Sequence, residues 1–85
     1  MPFFVYLLEC CDGSYYCGYT KDIKKRVVTH NKGTGSKYTR ARRPVKLIYF
    51  EESKSISSAM KREHAIKRLS RKEKEKLVKS VKIKD

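Results

Sequence analysis

The sequence predicts an α+β fold, in which helices pack on a small three-stranded antiparallel sheet in the order β-β-α-β-α-α. Three apolar segments with β-branched or aromatic residues, at 3–8, 14–20 and 45–51, are typical of strands. Helix start and stop signals lie in the stretches that follow the second and third segments. With 85 residues and no internal repeat, the chain has the length of one domain.

The first strand is predicted to be the central one, because residues 3–8 are apolar on both of their alternating sets of side chains. The second strand, at 14–20, is rich in Tyr and is separated from the first by an Asp-Gly turn. The length of this turn decides where Tyr6 and Tyr16 point. A shift of one residue in strand pairing moves every side chain to the other face.

The hairpin loop has two possible lengths. A two-residue loop of Asp12 and Gly13 sends the two tyrosines to opposite faces of the sheet. A three-residue loop that begins at Cys11 makes Tyr6 and Tyr16 diagonal neighbours on one face. The sequence permits both loops. We choose the longer one because its third position needs a left-handed backbone, which Gly13 adopts without steric cost.

The first helix is predicted over residues 21–30, with Thr20 as its N-cap and with Asn31 and Gly33 as its stop signals. The next segment, 32–44, is basic and contains two glycines, so we expect a loop there before the third strand.

Two further helices are predicted after the third strand. Ser53 or Ser55 caps a helix that runs to about Leu69. The sequence Ser-Arg-Lys-Glu at 70–73 is a capping box, which opens a short charged helix to about Lys79.

The chain is therefore expected to form one domain at residues 1–79, followed by a frayed basic tail at 80–85. No stretch approaches the ~20 apolar residues of a membrane span. The N-terminus lacks the basic and apolar regions of a secretory signal. We expect a cytoplasmic protein without a membrane partner.

The three cysteines, Cys10, Cys11 and Cys17, do not have the spacing of a zinc site or of a redox Cys-x-x-Cys motif. The favoured interpretation is that they are small apolar side chains in a reducing compartment. A catalytic pair with His30 or His64 is the alternative.

Positive charge is concentrated after the first two strands. The chain has 22 Lys and Arg against nine acids, a net charge of +13, yet residues 1–20 contain no Lys or Arg. Residues 21–46 hold ten of these cations against one acid. Basic segments beside a core-forming segment fit a polyanionic partner, most commonly nucleic acid. A solvated basic surface is the second interpretation.

Glu63 occupies an unusual place in the helix after the third strand. At ~100° per residue, the helix has an apolar stripe with Glu63 in its middle. The stripe consists of Ile56, Ala59, Met60 and Ile66. An unpaired carboxylate facing a core costs several kcal/mol, so a partner is expected. The partner is either an Arg or Lys in a structural ion pair, or a divalent cation held with waters and a substrate phosphate, as Mg²⁺ commonly is.

Arg26 and His30 are four residues apart and share one face of the first helix. Spacing alone favours a structural role, in which both side chains cover apolar surface. In the functional interpretation, Arg26 binds a phosphate and His30 moves a proton.

The loop before the third strand interleaves cations with an aromatic ring. Such a run suits a nucleic-acid backbone with one stacking or phosphate-bonding ring, and we favour binding over a solvated loop. The predicted nucleic-acid-binding residues are Lys37, Tyr38, Arg40, Arg42 and Arg43.

Together these residues resemble the GIY-YIG nuclease superfamily, and most closely its small stand-alone single-domain branch. The residues that carry the resemblance are Val5-Tyr6-Leu7, Tyr16-Cys17-Gly18, Arg26, His30 and Glu63. The match covers roughly residues 2–77. Phe4 precedes Val5 where the first motif of the family has Gly, and Cys17 replaces the usual Ile of the second. No Asn follows Glu63, unlike in many members.

The resemblance implies hydrolysis of DNA phosphodiester bonds with a divalent metal, Mg²⁺ or Mn²⁺, and no small-molecule cofactor. It places Tyr6 and Tyr16 in the catalytic pocket, where one of them helps to activate the attacking water. It also implies that Arg26 stabilises phosphoryl charge, His30 assists proton transfer and Glu63 binds the metal. Because no separate DNA-binding domain is present, we expect little sequence preference or recognition of a DNA structure. The alternative is a non-catalytic protein that binds DNA or RNA on the same scaffold.

Overall fold

The computed structural model describes residues 2–80 and has the predicted α+β architecture. The sheet is antiparallel, with strand order β2-β1-β3, so the first strand is central as predicted. The elements are β1 (Phe3–Glu9), β2 (Tyr15–Thr20), α1 (Ile23–Lys32), α2 (Lys37–Arg40), β3 (Lys46–Ser53), α3 (Ile56–Lys67) and α4 (Arg71–Ser80).

The three-residue hairpin loop is confirmed. Leu8 pairs with Tyr16 and Tyr6 pairs with Gly18, so Tyr6 and Tyr16 project from one face of the sheet. Gly13 has the positive φ of 85° that the loop requires.

The helix α2 was not predicted, because residues 37–40 were expected to belong to a loop. Ser36 caps this four-residue helix, and its side chain accepts a hydrogen bond from the backbone N–H of Thr39. One helical turn is too short to show the periodicity by which longer helices are recognised.

The longer helices differ from the prediction at their ends. Asp22, rather than Thr20, caps α1, because its carboxylate accepts the hydrogen bond from the backbone N–H of Lys25. That helix ends at Lys32, with Gly33 in the left-handed C-cap conformation. Ser55 caps α3, one of the two predicted candidates.

The capping box that opens α4 is confirmed by hydrogen bonds in both directions. The backbone N–H of Ser70 donates to Glu73 at 3.0 Å, and that of Glu73 donates to Ser70 Oγ at 3.2 Å. Ser80 is the last residue of α4, whereas the sequence predicts that the frayed tail begins there. The rest of that predicted tail, 81–85, lies outside the described residues.

Both faces of the sheet are covered, as the apolar first strand predicted. On one face, α3 packs through Ala59 and Ile66. The opposite face carries Tyr6 and Leu8, against which Val27 of α1 packs. No helix in the described part of the chain is long and apolar enough to cross a membrane.

The predicted apolar stripe of α3 is only half right. Ala59 and Ile66 are fully buried, but Ile56 and Met60 are about half exposed, at 49% and 50%. The helix therefore presents the side of Ala59 and Ile66 to the sheet. Glu63 lies between these two residues, one helical turn from each, so its inward position is retained.

Candidate active site

Tyr6 and His30 form the centre of a buried polar cluster. The Tyr6 hydroxyl lies 2.9 Å from His30 Nε2, although the residues are 24 positions apart. Tyr6 is only 2% exposed and His30 only 1%. Their hydrogen bond joins the central strand to the last full turn of α1.

Tyr16 is the second tyrosine of this cluster. Its ring centroid lies 5.1 Å from that of His30, in an edge-on arrangement. Tyr16 is half-buried, and its hydroxyl makes no hydrogen bond within residues 2–80. The three-residue hairpin thus brings both predicted tyrosines against the predicted histidine, and it leaves one phenol free to bind a ligand.

Gly18 makes room for the Tyr6 side chain. A Cβ atom at this position would lie 2.5 Å from Tyr6 Oη and 2.7 Å from Cζ. The phenol therefore extends across the edge strand β2 at Gly18, where the lack of a Cβ atom allows this close approach.

Arg26 lies one helical turn before His30 on α1. Its guanidinium makes no side-chain hydrogen bond or ion pair with any described residue. It lines a cleft of about 450 Å³ at the end of β2, together with Lys21 and Lys25. Arg26 is thus a half-buried cation that remains available to an anionic ligand.

Glu63 lies on the helix that packs against the opposite face of the sheet from Tyr6 and Tyr16, next to the edge strand β2. Cys17 Sγ lies 3.9 Å from the Glu63 carbonyl oxygen, which places α3 against the residue between Tyr16 and Gly18. The Glu63 carboxylate is 18% exposed and lies 3.5 Å from Lys67 Nζ on the same helix. Lys67 is half exposed, so this is an ion pair of the weak surface type rather than a buried one.

The electrostatics of the cluster keep both central groups neutral. Burial raises the pKa of Tyr6 well above its usual value, and Tyr16 adds to the effect. The Arg26 guanidinium opposes this rise, whereas the Glu63 carboxylate adds to it, so both charges act on the phenol. Burial, followed by the Arg26 charge, lowers the pKa of His30. At pH 7 the pair is therefore a phenol and a neutral imidazole.

The side chains that could act as metal ligands indicate whether a metal ion fits this site. Within residues 2–80, no group of three or more His, Cys, Asp or Glu side chains is placed to hold a metal. Glu63 is a single hard oxygen ligand on an inward-facing helix position. One carboxylate completed by waters and a substrate phosphate is a usual arrangement for Mg²⁺ and does not need an all-protein cage. The residues present fit such a metal and exclude a preformed cage of protein ligands.

The predicted nucleic-acid-binding residues divide into two groups. Lys37 and Arg40, on α2, are exposed and make no side-chain hydrogen bond or ion pair with other described residues. Arg42, in contrast, pairs with Asp12 at 3.1 Å and stacks over the Tyr38 ring at 3.9 Å.

Arg43 also stabilises the basic segment, residues 32–44, because its Nε donates to the Arg40 carbonyl oxygen at 3.0 Å. Tyr38 in turn stacks on Tyr16, with centroids 6.0 Å apart. The basic segment is therefore connected directly to the tyrosine of the cluster.

Thr39 is the site residue that sequence analysis missed. It is fully buried, and its Oγ1 lies 2.8 Å from His30 Nδ1. The N-cap pattern of Ser36 followed three residues later by Thr39 is the one signal that could have marked this turn. With Tyr6 on Nε2 and Thr39 on Nδ1, both nitrogens of His30 are occupied, which excludes its pairing with a cysteine.

A family model and several known proteins match most of the length of this chain. A family model described as the GIY-YIG catalytic domain matches residues 2–76. A UPF0213 protein of Staphylococcus saprophyticus is 52% identical over 75 residues, which are 88% of this chain and 92% of that protein. A UPF0213 protein of Halobacterium salinarum is 56% identical over 73 residues, 86% of this chain and 95% of that protein.

Solved structures are similar over nearly the same length. The solution NMR structure of a UPF0213 protein from Bacillus halodurans has 47% sequence identity and a TM-score of 0.60, covering 93% of this chain and 84% of that one. The solution NMR structure of a protein from E. faecalis has 44% identity and a TM-score of 0.64, covering 94% and 85%. The likeness thus spans the whole sheet and its helices.

Proposed function

The chain belongs to the family of the GIY-YIG catalytic domain, and on that premise we propose that it is a metal-dependent endonuclease that hydrolyses phosphodiester bonds in DNA. The observation that carries the proposal is the contact of both Tyr6 and Tyr16 with His30 on one face of the sheet. Because the domain is small, it has little sequence preference or recognises a DNA structure.

Tyr6 and His30 activate the attacking water. The raised pKa of Tyr6 excludes a standing phenolate, so the phenol acts by passing a proton on. The water gives a proton to the Tyr6 hydroxyl while Tyr6 gives its own proton to His30 Nε2, 2.9 Å away. The water oxygen bonds to phosphorus as the bond to the leaving sugar oxygen breaks, and that oxygen takes a proton from solvent.

Tyr16 and Arg26 bind the phosphoryl group. The Tyr16 hydroxyl has no partner within residues 2–80 and donates to a non-bridging phosphate oxygen. The Arg26 guanidinium offers paired donors and neutralises charge that develops on these oxygens. These interactions strengthen as the phosphoryl group becomes more negative in the transition state, which is why they accelerate the reaction.

Glu63 would hold the divalent cation, Mg²⁺ or Mn²⁺. When bound, such an ion neutralises phosphate charge and stabilises the leaving oxygen. Lys67 is the competing cation, and its exposed side chain can turn away from Glu63 at little cost because surface ion pairs contribute only about 0–1 kcal/mol.

The basic segment holds the DNA backbone. Lys37 and Arg40 are its exposed, unengaged cations, and they contact phosphates beside the scissile one. Arg42 and Arg43 keep the segment in place, and Tyr38 offers a ring next to Tyr16.

The Glu63–Lys67 ion pair favours a second candidate, a protein that binds DNA or RNA without cleaving it. In that case Lys67 satisfies the carboxylate permanently and no metal is needed. Binding would depend on the basic segment alone, and Glu63 would be dispensable.

Cleavage assays on junction, flap, single-stranded and duplex DNA with Mg²⁺ or Mn²⁺ separate the two candidates. We expect the parent protein to nick branched or single-stranded DNA, and Glu63→Gln to bind these DNAs without nicking them. Glu52→Gln is the matched control, because it removes an exposed carboxylate from β3 and should cleave like the parent. If parent and Glu63→Gln bind equally and neither cleaves any of these substrates, the binding candidate is correct.

A further inference from the structure

We propose that Thr39 is a positioning residue, whose hydroxyl oxygen accepts the Nδ1 proton of His30 and so leaves Nε2 unprotonated toward Tyr6. Two distances support it, 2.8 Å from Thr39 Oγ1 to His30 Nδ1 and 2.9 Å from Tyr6 Oη to His30 Nε2. The hydrogen-bond assignment stands on these contacts alone, whereas its catalytic consequence rests on the proposed nuclease function.

The tautomer follows from counting donors. His30 Nε2 is the only hydrogen-bond partner of the Tyr6 hydroxyl within residues 2–80. If Nε2 carried the ring proton, it would donate to the phenol oxygen, and the phenol's own proton would have no acceptor among these buried groups. An unpaired buried donor is costly. Tyr6 therefore donates to Nε2, and the single proton of the neutral ring lies on Nδ1.

Thr39 is held so that its oxygen faces this proton. Its own hydroxyl proton can be donated to the Ser36 carbonyl oxygen, 3.3 Å away. Its backbone N–H donates to Ser36 Oγ at 3.1 Å, which closes the turn of α2. Gly35 completes the enclosure, because any Cβ at that position would collide with the His30 ring. The segment from Gly35 to Thr39 thus wraps the imidazole.

This arrangement gives α2 two sides with different tasks. Thr39 points inward and is 0% exposed, whereas Lys37 and Arg40 on the same turn are exposed cations. The element that is proposed to hold the DNA backbone is therefore also the element that orients the proton acceptor.

The titratable and charged groups around His30 come from three elements. Tyr6 of β1 and Tyr16 of β2 contact its ring. Burial is the larger cause of its lowered pKa, and the charge of Arg26 on α1 is the second cause. Thr39 of α2 also contacts the ring, but it is not titratable. Loss of its oxygen would remove an acceptor that stabilises the charged ring more than the neutral one, because a hydrogen bond from a charged donor is stronger. The His30 pKa in Thr39→Val should therefore fall below that of the parent.

The first test is NMR of the histidine ring nitrogens, which needs no nuclease activity. In the parent protein we expect a protonated Nδ1 and an unprotonated Nε2 for His30 at neutral pH. In Thr39→Val we expect partial or full transfer of the proton to Nε2. Thr39→Ser keeps the hydroxyl and should retain the parent tautomer. A parent protein with the proton on Nε2 overturns the proposal without any variant, so the test survives a Thr39→Val that does not fold.

The second test is the rate of DNA cleavage. Thr39→Val should lower kcat by at least about tenfold with KM nearly unchanged, since general acid–base catalysis contributes about 10²–10⁴-fold. The acid limb of its pH–rate profile should also move to lower pH. Thr39→Ser should restore most of the rate. Arg40→Gln, on the same turn, should instead weaken DNA binding and leave the His30 tautomer as in the parent.

The outcomes separate this proposal from the nuclease proposal. An inactive parent protein with the expected tautomer rejects the nuclease function and leaves the positioning of His30 by Thr39 supported. An active parent protein whose His30 tautomer and kcat are unaffected by Thr39→Val rejects the role of Thr39 and leaves the nuclease function standing.

Discussion

The close approach of Tyr6 to Gly18 makes Gly18→Ala a sensitive test of the site. An added methyl would lie 2.5 Å from Tyr6 Oη and 2.7 Å from Cζ, well inside contact distance. The Tyr6 ring cannot swing aside easily because it is 2% exposed and hydrogen-bonded to His30. The ring must shift, and the hydrogen bond must lengthen or break.

The magnitude follows from three contributions. Overpacking a buried position costs about 1–3 kcal/mol, and loss of the Tyr6–His30 hydrogen bond costs about 1 kcal/mol. Replacing Gly by Ala at a compatible backbone position restricts the unfolded chain and stabilises by about 0.4–1 kcal/mol. We therefore expect Gly18→Ala to lower the free energy of unfolding by about 1–3.5 kcal/mol.

Urea unfolding followed by far-UV circular dichroism measures this change. With an m-value of about 1 kcal/mol/M for a domain of this size, the midpoint should fall by about 1 M or more. Tyr6→Phe already lacks the hydrogen bond, so adding Gly18→Ala to it should cost less than in the parent protein. DNA cleavage should decrease together with stability. A Gly18→Ala variant that is as stable and active as the parent would show that the Tyr6 ring does not lie over Gly18.

Three further predictions concern other parts of the molecule. Because the pKa of His30 is lowered in the folded state, its contribution to stability is complete above the unfolded value of about 6.5 and is lost as pH falls from there through the folded pKa. Urea titrations between pH 7 and 5 should show this loss in the parent and its reduction in His30→Gln. Glu51→Gln removes the charge that pairs with Arg62, whose Nε lies 2.5 Å from Glu51 Oε1, and should lower the free energy of unfolding by about 1 kcal/mol. Lys37→Gln and Arg40→Gln should each weaken DNA binding and reduce the slope of log affinity against log salt by about 0.9, as measured by fluorescence anisotropy.

Matched variants control the first two of these predictions. His64→Gln, which changes an exposed histidine on α3, is the matched variant for His30→Gln in the urea titrations. Glu52→Gln removes the neighbouring exposed carboxylate and should change stability by no more than about 0.5 kcal/mol. An unchanged salt slope in both cation variants would remove Lys37 and Arg40 from the DNA contact.

Local signals in the sequence predicted most of the fold. The apolar run of β1, the Asp-Gly turn and the capping box at 70–73 each depend on a few adjacent residues, and the structure confirms all three. The errors at the ends of α1 have the same local character. Thr20 and Asp22 are both good N-caps, and the choice between them depends on where the strand before them ends.

The sequence indicated most of the residues proposed for the site, but it did not indicate their contacts or Thr39. The hairpin register placed Tyr6 and Tyr16 on one face, and the four-residue spacing placed Arg26 with His30. The sequence left open whether Glu63 had a cationic side chain as its partner, and the structure shows Lys67 on the same helix. The sequence also overestimated the apolar stripe of α3. Periodicity shows which face of a helix is apolar, but it does not show how much of that face the sheet covers.

What the sequence by itself determined about this protein is the three strands, three of the four described helices, the hairpin geometry and most of the residues proposed to do the chemistry. Only the tertiary structure decided that His30 Nδ1 lies against Thr39 Oγ1, that the Tyr6 ring lies over Gly18 and that Arg42 and Arg43 hydrogen-bond to the backbone of α2. The physical reason is the distance along the sequence between the residues that determine each feature. Turns and caps are settled by neighbours within a few residues, whereas the partners of a buried polar group are settled by how α1 and α2 dock on the sheet.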